Sequence, residues 1–175
     1  MMRKKLLQAV WTLSFLSPLI ATPTAGVSAD DPYYEFMNQL SGQCLQPVNG
    51  STDRGAAIVQ EPCNRKPVQL WRAVRVGDNI FHYVNVFSGL CLDAKGSAVN
   101  GTPVQQWPCN NITNENWEPG GDVGSEDFPL ISRVSRTHSY CLDVPGGNST
   151  AGLAMQIYRC NGTRAQIWVR NSEAQ

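Results

Sequence analysis

The chain says nearly the same thing three times. SGQCLQPVNGSTDRGAAIVQEPCNRKPVQLW fills residues 41–71, SGLCLDAKGSAVNGTPVQQWPCNNITNENW residues 88–117 and HSYCLDVPGGNSTAGLAMQIYRCNGTRAQIW residues 138–168. Each copy runs from Cys-Leu through a Gly/Asn/Ser-rich turn and a short apolar stretch to a second Cys followed by Asn, and closes on Trp71, Trp117 or Trp168. Equal sequences must form equal units, and units too small to bury their own faces must share a core.

The six cysteines sit at matching places in the copies. Fifteen pairings are formally available to six cysteines. Equal repeats favour equal local bridges, Cys44–Cys63, Cys91–Cys109 and Cys141–Cys160, each closing a loop worth about 3 kcal/mol in chain entropy. Zinc is the competing use of cysteine. It is disfavoured because no C-x-x-C spacing occurs and the two histidines, His82 and His138, are not spaced as a ligand pair.

Strand-like segments fill the intervals: DPYYEFMNQ before the first copy, WRAVRVGDNIFHYVNVF between the first two, and FPLISRVS before the third. Gly77-Asp78-Asn79 is a turn signal between alternating apolar residues. The count comes to about four short strands per copy, with no helical periodicity beyond about two turns. An all-β fold follows, with Trp71, Trp117 and Trp168 as core contributors.

The N-terminus has a different character. MMRKK, then the apolar run LLQAVWTLSFLSPLIA, then TPTAGVSA, has the order of a secretory signal peptide over residues 1–29 with cleavage after Ala29, which leaves one domain at 30–175 and an extracellular destination. A membrane anchor is the weaker reading, since Pro18 interrupts a run shorter than the ~20 residues a span needs. Cleavage removes Arg3, Lys4 and Lys5 and no acidic residue, so 14 basic side chains become 11 against 14 acidic ones. A mildly acidic chain with no polybasic tract argues against nucleic acid and anionic membrane as partners.

The triplicated Cys-Leu-Asp (Gln46 replacing Asp in copy one), the V-Q-x-W-x-C-N block and the Q-x-W endings at 69–71 and 166–168 resemble the ricin B-chain-type (R-type) lectins. The likeness covers about residues 33–170. It implies a β-trefoil of twelve strands with pseudo-threefold symmetry, three intra-repeat disulfides and up to three shallow sugar sites, with no metal or cofactor. In such sites the Asp after the first Cys accepts from neighbouring hydroxyls, an aromatic two residues before the second Cys stacks on the sugar's C–H face, and an Asn before the Q-x-W Gln adds an amide. That division suits a sugar, which offers hydroxyls at its edge and an apolar face.

Carried over residue by residue, the second copy is the main site: Asp93, Gln105, Trp107 and Asn114, with Glu115 standing where the family has Gln. Glu115 cannot donate when ionised, so a less rigid site is expected there. The third copy keeps Asp143, Gln156, Tyr158 and Gln166 but has Ala165 in place of Asn, and is expected to be weak. Copy one, with Gln46, Glu61 and Val68, is a structural copy without a site. Two plainer readings stay open: Asp93 and Asp143 as turn-capping carboxylates, and Trp107 as core.

The expected ligands are galactose-type or xylan-type glycans. The runner-up is a trefoil interaction module, a toxin-complex subunit or protein inhibitor, with vestigial sugar binding. An enzyme is not expected: no G-x-S-x-G occurs, the cysteines are committed to bridges, and Glu115 and Glu118 read as loop charges rather than a glycosidase pair. Residues 118–128, EPGGDVGSEDF, read as an acidic surface loop. Asn49, Asn111, Asn148 and Asn161 head N-x-S/T sequons, which matter only in a glycosylating host.

Overall fold

A computed structural model describes residues 32–121, 125–137 and 139–172. The expected leader at 1–29, His138 and part of the acidic insertion lie outside the described residues. The strands are β1 (Tyr33–Asn38), β2 (Gln43–Pro47), β3 (Ile58–Pro62), β4 (Leu70–Gly77), β5 (Ile80–Asn85), β6 (Cys91–Ala94), β7 (Thr102–Trp107), β8 (Trp117–Pro119), β9 (Asp127–Ser132), β10 (Tyr140–Asp143), β11 (Gln156–Arg159) and β12 (Ile167–Ser172). Among the described residues no helix is long and apolar enough to cross a membrane.

Six of the strands close into a ring. β1 pairs β4, β4 pairs β5, β5 pairs β8, β8 pairs β9, β9 pairs β12, and β12 returns to β1, every pair antiparallel. Closure leaves the barrel without an unpaired edge, which a sheet of this size would otherwise expose. The turn expected at Gly77-Asp78-Asn79 joins β4 to β5, with Asn79 at φ 52°, a left-handed conformation that Asn tolerates better than most residues.

The other six strands make three hairpins, β2–β3, β6–β7 and β10–β11. β7 pairs β11, and single bridges Ala57↔Gln105 and Val59↔Ala154 complete the cycle between copies. The result is a β-trefoil with one hairpin and two barrel strands per repeat. Side chains reinforce the seams: Gln106 donates to the carbonyls of Ser51 and Asp53 at 2.8 and 2.9 Å, and Gln60 to those of Asn148 and Thr150 at 2.8 and 2.9 Å. Each glutamine thereby pins a loop of the preceding copy in the cycle. Ile157 takes the equivalent place in copy three and has no amide to offer.

The core explains the repeated Cys-Leu…Trp pattern. Trp71, Trp117 and Trp168 are fully buried, and their indole N–H groups donate to the carbonyls of Leu45, Leu92 and Leu142 at 3.2, 2.9 and 3.0 Å. A buried indole needs such an acceptor, and each copy supplies it from the residue after its first Cys. The three leucine side chains point into the same cluster. The disulfides are Cys44–Cys63, Cys91–Cys109 and Cys141–Cys160, with Cα atoms 5.0, 5.2 and 5.0 Å apart. Each ties a buried strand residue to an exposed loop residue, so that every hairpin is anchored to the loop leading into the next barrel strand.

Candidate functional site

In the second copy the hairpin register sets Asp93 opposite Gln105 and Cys91 opposite Trp107. The Gln105 amide donates to Asp93 Oδ1 at 2.8 Å. Asp93 is only 2% exposed, and burial pushes its carboxyl above the ordinary value, partly opposed by the bond from Gln105. Oδ2 makes no hydrogen bond among the described residues. The carboxylate is therefore held in one orientation with an acceptor to spare. Neither Asp93 nor Asp143 accepts a backbone N–H among the described residues, so the turn-cap reading does not account for them.

Trp107 is half-buried and stands outside the core cluster, whereas Trp117 is wholly inside it. The two tryptophans of one copy have thus been sorted by the fold, one to the interior and one to the surface. Asn114 lies on a single 3-10 turn, Thr113–Glu115, that leads into β8. Its amide donates to the Ala94 carbonyl at 2.9 Å, which brings this turn against the end of β6 and the vicinity of Asp93.

Glu115 is fully buried below this surface. Its carboxylate accepts the backbone N–H of Asn110 at 3.0 Å to one oxygen and 3.2 Å to the other, and that of Asn111 at 3.0 Å. The glutamines at the same place in copies one and three do more. Gln69 accepts from Asn64 N at 2.7 Å and donates to the Gln46 side chain and the Pro62 carbonyl at 2.9 and 3.1 Å. Gln166 accepts from Asn161 N at 2.8 Å and donates to Asp143 Oδ1 and the Arg159 carbonyl at 3.0 and 3.1 Å. The Q-x-W glutamine is a brace under the Asp position, and Glu115 keeps only its accepting half.

In the third copy Asp143 is held on both oxygens, by Gln166 and, at 2.7 Å, by Gln156. Burial raises its carboxyl too, opposed by those two bonds. Asp143, Gln156 and Tyr158 line an open cavity of about 640 Å³ together with Leu40, Arg164 and the buried Ala165. Tyr158 is 39% exposed. In copy one Gln46, Glu61 and Val68 are half-buried and Gln46 is occupied by Gln69, so the Asp position has no carboxylate and the stacking position carries Glu61 in place of a ring.

Among the described residues two clusters bring three metal-ligating residues together, Glu35 with Cys44 and Cys63, and His82 with Cys91 and Glu115. Every cysteine in them is oxidised to a disulfide, so neither retains three donors. His82 instead bonds Asn116 Oδ1 at 2.7 Å.

Of the residues selected from sequence, Asp143, Gln156 and Tyr158 in copy three share one cavity, and in copy two Asp93 is bonded to Gln105 and Asn114 to the residue after Asp93. What that reading missed are contributors from neighbouring copies: Leu40 beside the third-copy residues, and Arg54, whose guanidinium carbon lies 5.6 Å from the Trp107 ring centre. Alignment of the repeats locates both residues within their own copies. It carries no signal of which other copy they touch.

The sequence model of the ricin-type β-trefoil lectin domain-like family matches residues 9–107. No curated protein matches the sequence. Among solved structures, the designed threefold-symmetric protein ThreeFoil aligns with a TM-score of 0.73 at 28% identity, covering 79% of this chain and 97% of its own. The exo-β-1,3-galactanase 1,3Gal43A of Clostridium thermocellum aligns with a TM-score of 0.76 at 29% identity over 83% of this chain, which spans only 31% of that enzyme. The Macrolepiota procera ricin B-like lectin, solved in complex with lactose, shares the fold with a TM-score of 0.68 at 20% identity, covering 83% of this chain and 99% of its own.

Proposed function

The chain belongs to the ricin-type β-trefoil lectin domain-like family, and on that premise we propose that it is a secreted, non-catalytic sugar-binding protein acting mainly through its second repeat. The observation that carries this reading is the pairing of a fixed carboxylate with an available oxygen, Asp93, and a tryptophan the core does not use, Trp107. Asp93 accepts two sugar hydroxyls, Trp107 takes the C–H face, and Gln105 and Asn114 hold the polar edge in place. The third repeat, through Asp143, Gln156 and Tyr158 braced by Gln166, is a second and weaker site. These groups supply acceptors and a flat ring, with no nucleophile beside a base.

Galactose-type sugars are the first choice of ligand, in keeping with the galactanase and the lactose-bound lectin among the similar structures. Xylan-type glycans are the second. Three disulfides suit an oxidising compartment, and the signal-peptide order of residues 1–29 agrees with export, leaving the lectin domain at 30–175.

A glycan array probed with the chain from Asp30, followed by calorimetric titration of the best ligand, tests the proposal. Galactose- or xylose-bearing glycans should bind, and Trp107→Ala should abolish the second-repeat binding, leaving only the weaker third-repeat signal, while the far-UV circular dichroism stays native. A folded Trp107→Ala protein that binds like the parent would remove the second-repeat site.

An interaction module is the competing reading, favoured by copy one, where no site remains, and by Phe87 just ahead of copy two, which is 55% exposed. Capture of a protein partner that free sugar does not displace would support it instead.

A further inference from the structure

The first copy reaches onto the second copy's site. The Gln106 amide holds the carbonyls of Ser51 and Asp53, and Gly55 N donates to the Gln106 carbonyl at 2.7 Å. Residues 51–55 are thereby fixed against β7. Gly55 sits at φ +83°, and a Cβ placed on it would stand 3.6 Å from Trp107 Cζ3. This brings Arg54 over the ring at 5.6 Å, with its side chain exposed and making no ion pair among the described residues. Asp53 makes no ion pair with it and accepts instead from the Ser51 hydroxyl at 3.2 Å.

The other two copies place different residues at this point. Asn100 precedes Gly101 and accepts from Arg159 N at 2.8 Å, next to Tyr158. Ala151 precedes Gly152, which approaches Glu61. Of the three equivalent loop positions, only the one beside the indole carries a cation. The mature chain is slightly acidic, so this guanidinium is a local feature of the site rather than part of a basic surface.

We infer that Arg54 is a specificity-determining residue of the second-repeat site, recognising an anionic substituent, a carboxylate or a sulfate ester, on the sugar that stacks on Trp107. This rests on the sugar-binding reading of that site. A guanidinium presents several N–H donors in a planar fork matched to such oxyanions, and the ring beneath it limits its freedom, so little ordering is left to pay for on binding. Asp93 accepts hydroxyls and repels anions. The two charged groups therefore read different parts of one ligand, and a neutral sugar leaves Arg54 unused.

The test is a chemical-shift titration of the Trp107 indole N–H in the protein from Asp30. The probes are methyl galactoside, its uronate and its sulfate ester, with xylobiose and a glucuronate-branched xylo-oligosaccharide as a second matched set. At least one anionic probe should bind about tenfold tighter than its neutral partner, with an advantage that salt erodes. Arg54→Gln should remove that advantage and leave the neutral affinity unchanged, and Arg54→Lys should retain part of it. Neutral sugar that binds while the anionic probes bind no better, or a preference that survives Arg54→Gln, overturns the assignment and leaves the lectin reading intact. Tighter neutral binding by Arg54→Gln also overturns it, since the guanidinium would then be covering the ring. If no probe moves the Trp107 resonance, both readings of this site fall.

Discussion

The Gln166 amide donates to Asp143 Oδ1 at 3.0 Å, and where the third copy has this bond the second sets two buried carboxylates, Glu115 and Asp93, near one another. Burial raises the Glu115 carboxyl most. Backbone bonds from Asn110 and Asn111 and the neighbouring His82 oppose the shift, while Asp93 adds to it. Protonated, Glu115 regains a donor like that of the glutamine; ionised, it has none.

Glu115→Gln should therefore stabilise the protein near pH 7, by about 1 kcal/mol, the worth of one restored buried hydrogen bond. A carboxyl raised in the folded state contributes stability that is complete below its unfolded value and is lost as pH rises through its folded value. The wild type should thus lose stability as pH rises between those two values, and the variant should lose less, with Asp93 and Asp143 keeping a residual slope. Thermal unfolding followed across pH checks this. Parallel curves for the two proteins would refute it.

Sugar binding at the second repeat should weaken on acidification. Asp93 must be ionised to accept two hydroxyls, and burial has raised its carboxyl, so the loss should begin at a higher pH than an ordinary carboxylate would give. Calorimetric titration over pH should show affinity falling toward acid. Glu115→Gln should move the midpoint lower, because the neighbouring carboxylate is gone.

Asp93→Ala should lower affinity at the second repeat by about 1–3 kcal/mol without unfolding the chain, because a group that gives up its bond to Gln105 leaves a small polar gap rather than a core cavity. Trp117→Ala, in contrast, should cost about 3–5 kcal/mol of stability, since that ring is fully buried. Glu61→Ala should leave binding unchanged. Chemical denaturation and titration of the three variants separate the outcomes.

Ala165→Asn should strengthen the third-repeat site about tenfold, the effect of one added amide bond. Asn114 shows the geometry to be copied, with its amide on the Ala94 carbonyl, and the cavity beside Ala165 has room for the side chain. A Tyr158→Ala change on the same background should cancel the gain.

Secreted material should begin at Asp30, as N-terminal sequencing would show. Retention of residues 6–21 in a membrane fraction would contradict cleavage.

The repeat, the cysteine frame and the three buried tryptophans were legible in the sequence because each is a local pattern copied three times. Comparison of the copies states which Cys closes which loop and which Leu lies 25 or 26 residues before its Trp. Closure of the barrel decided the rest. Threefold closure sets the first copy's loop against the second copy's hairpin, so Gln106 grips Ser51 and Asp53 from 55 and 53 residues away and Arg54 meets Trp107. A repeat records what each unit contains and is silent on which unit stands beside it. Nor could the sequence give the Q-x-W glutamine its role. Its two ends bond to a backbone N–H five residues earlier and to a side chain 23 residues earlier in both intact copies. Only when the hairpin is folded back by the disulfide do those partners meet, and only then does a glutamate in that place become a buried charge beside another.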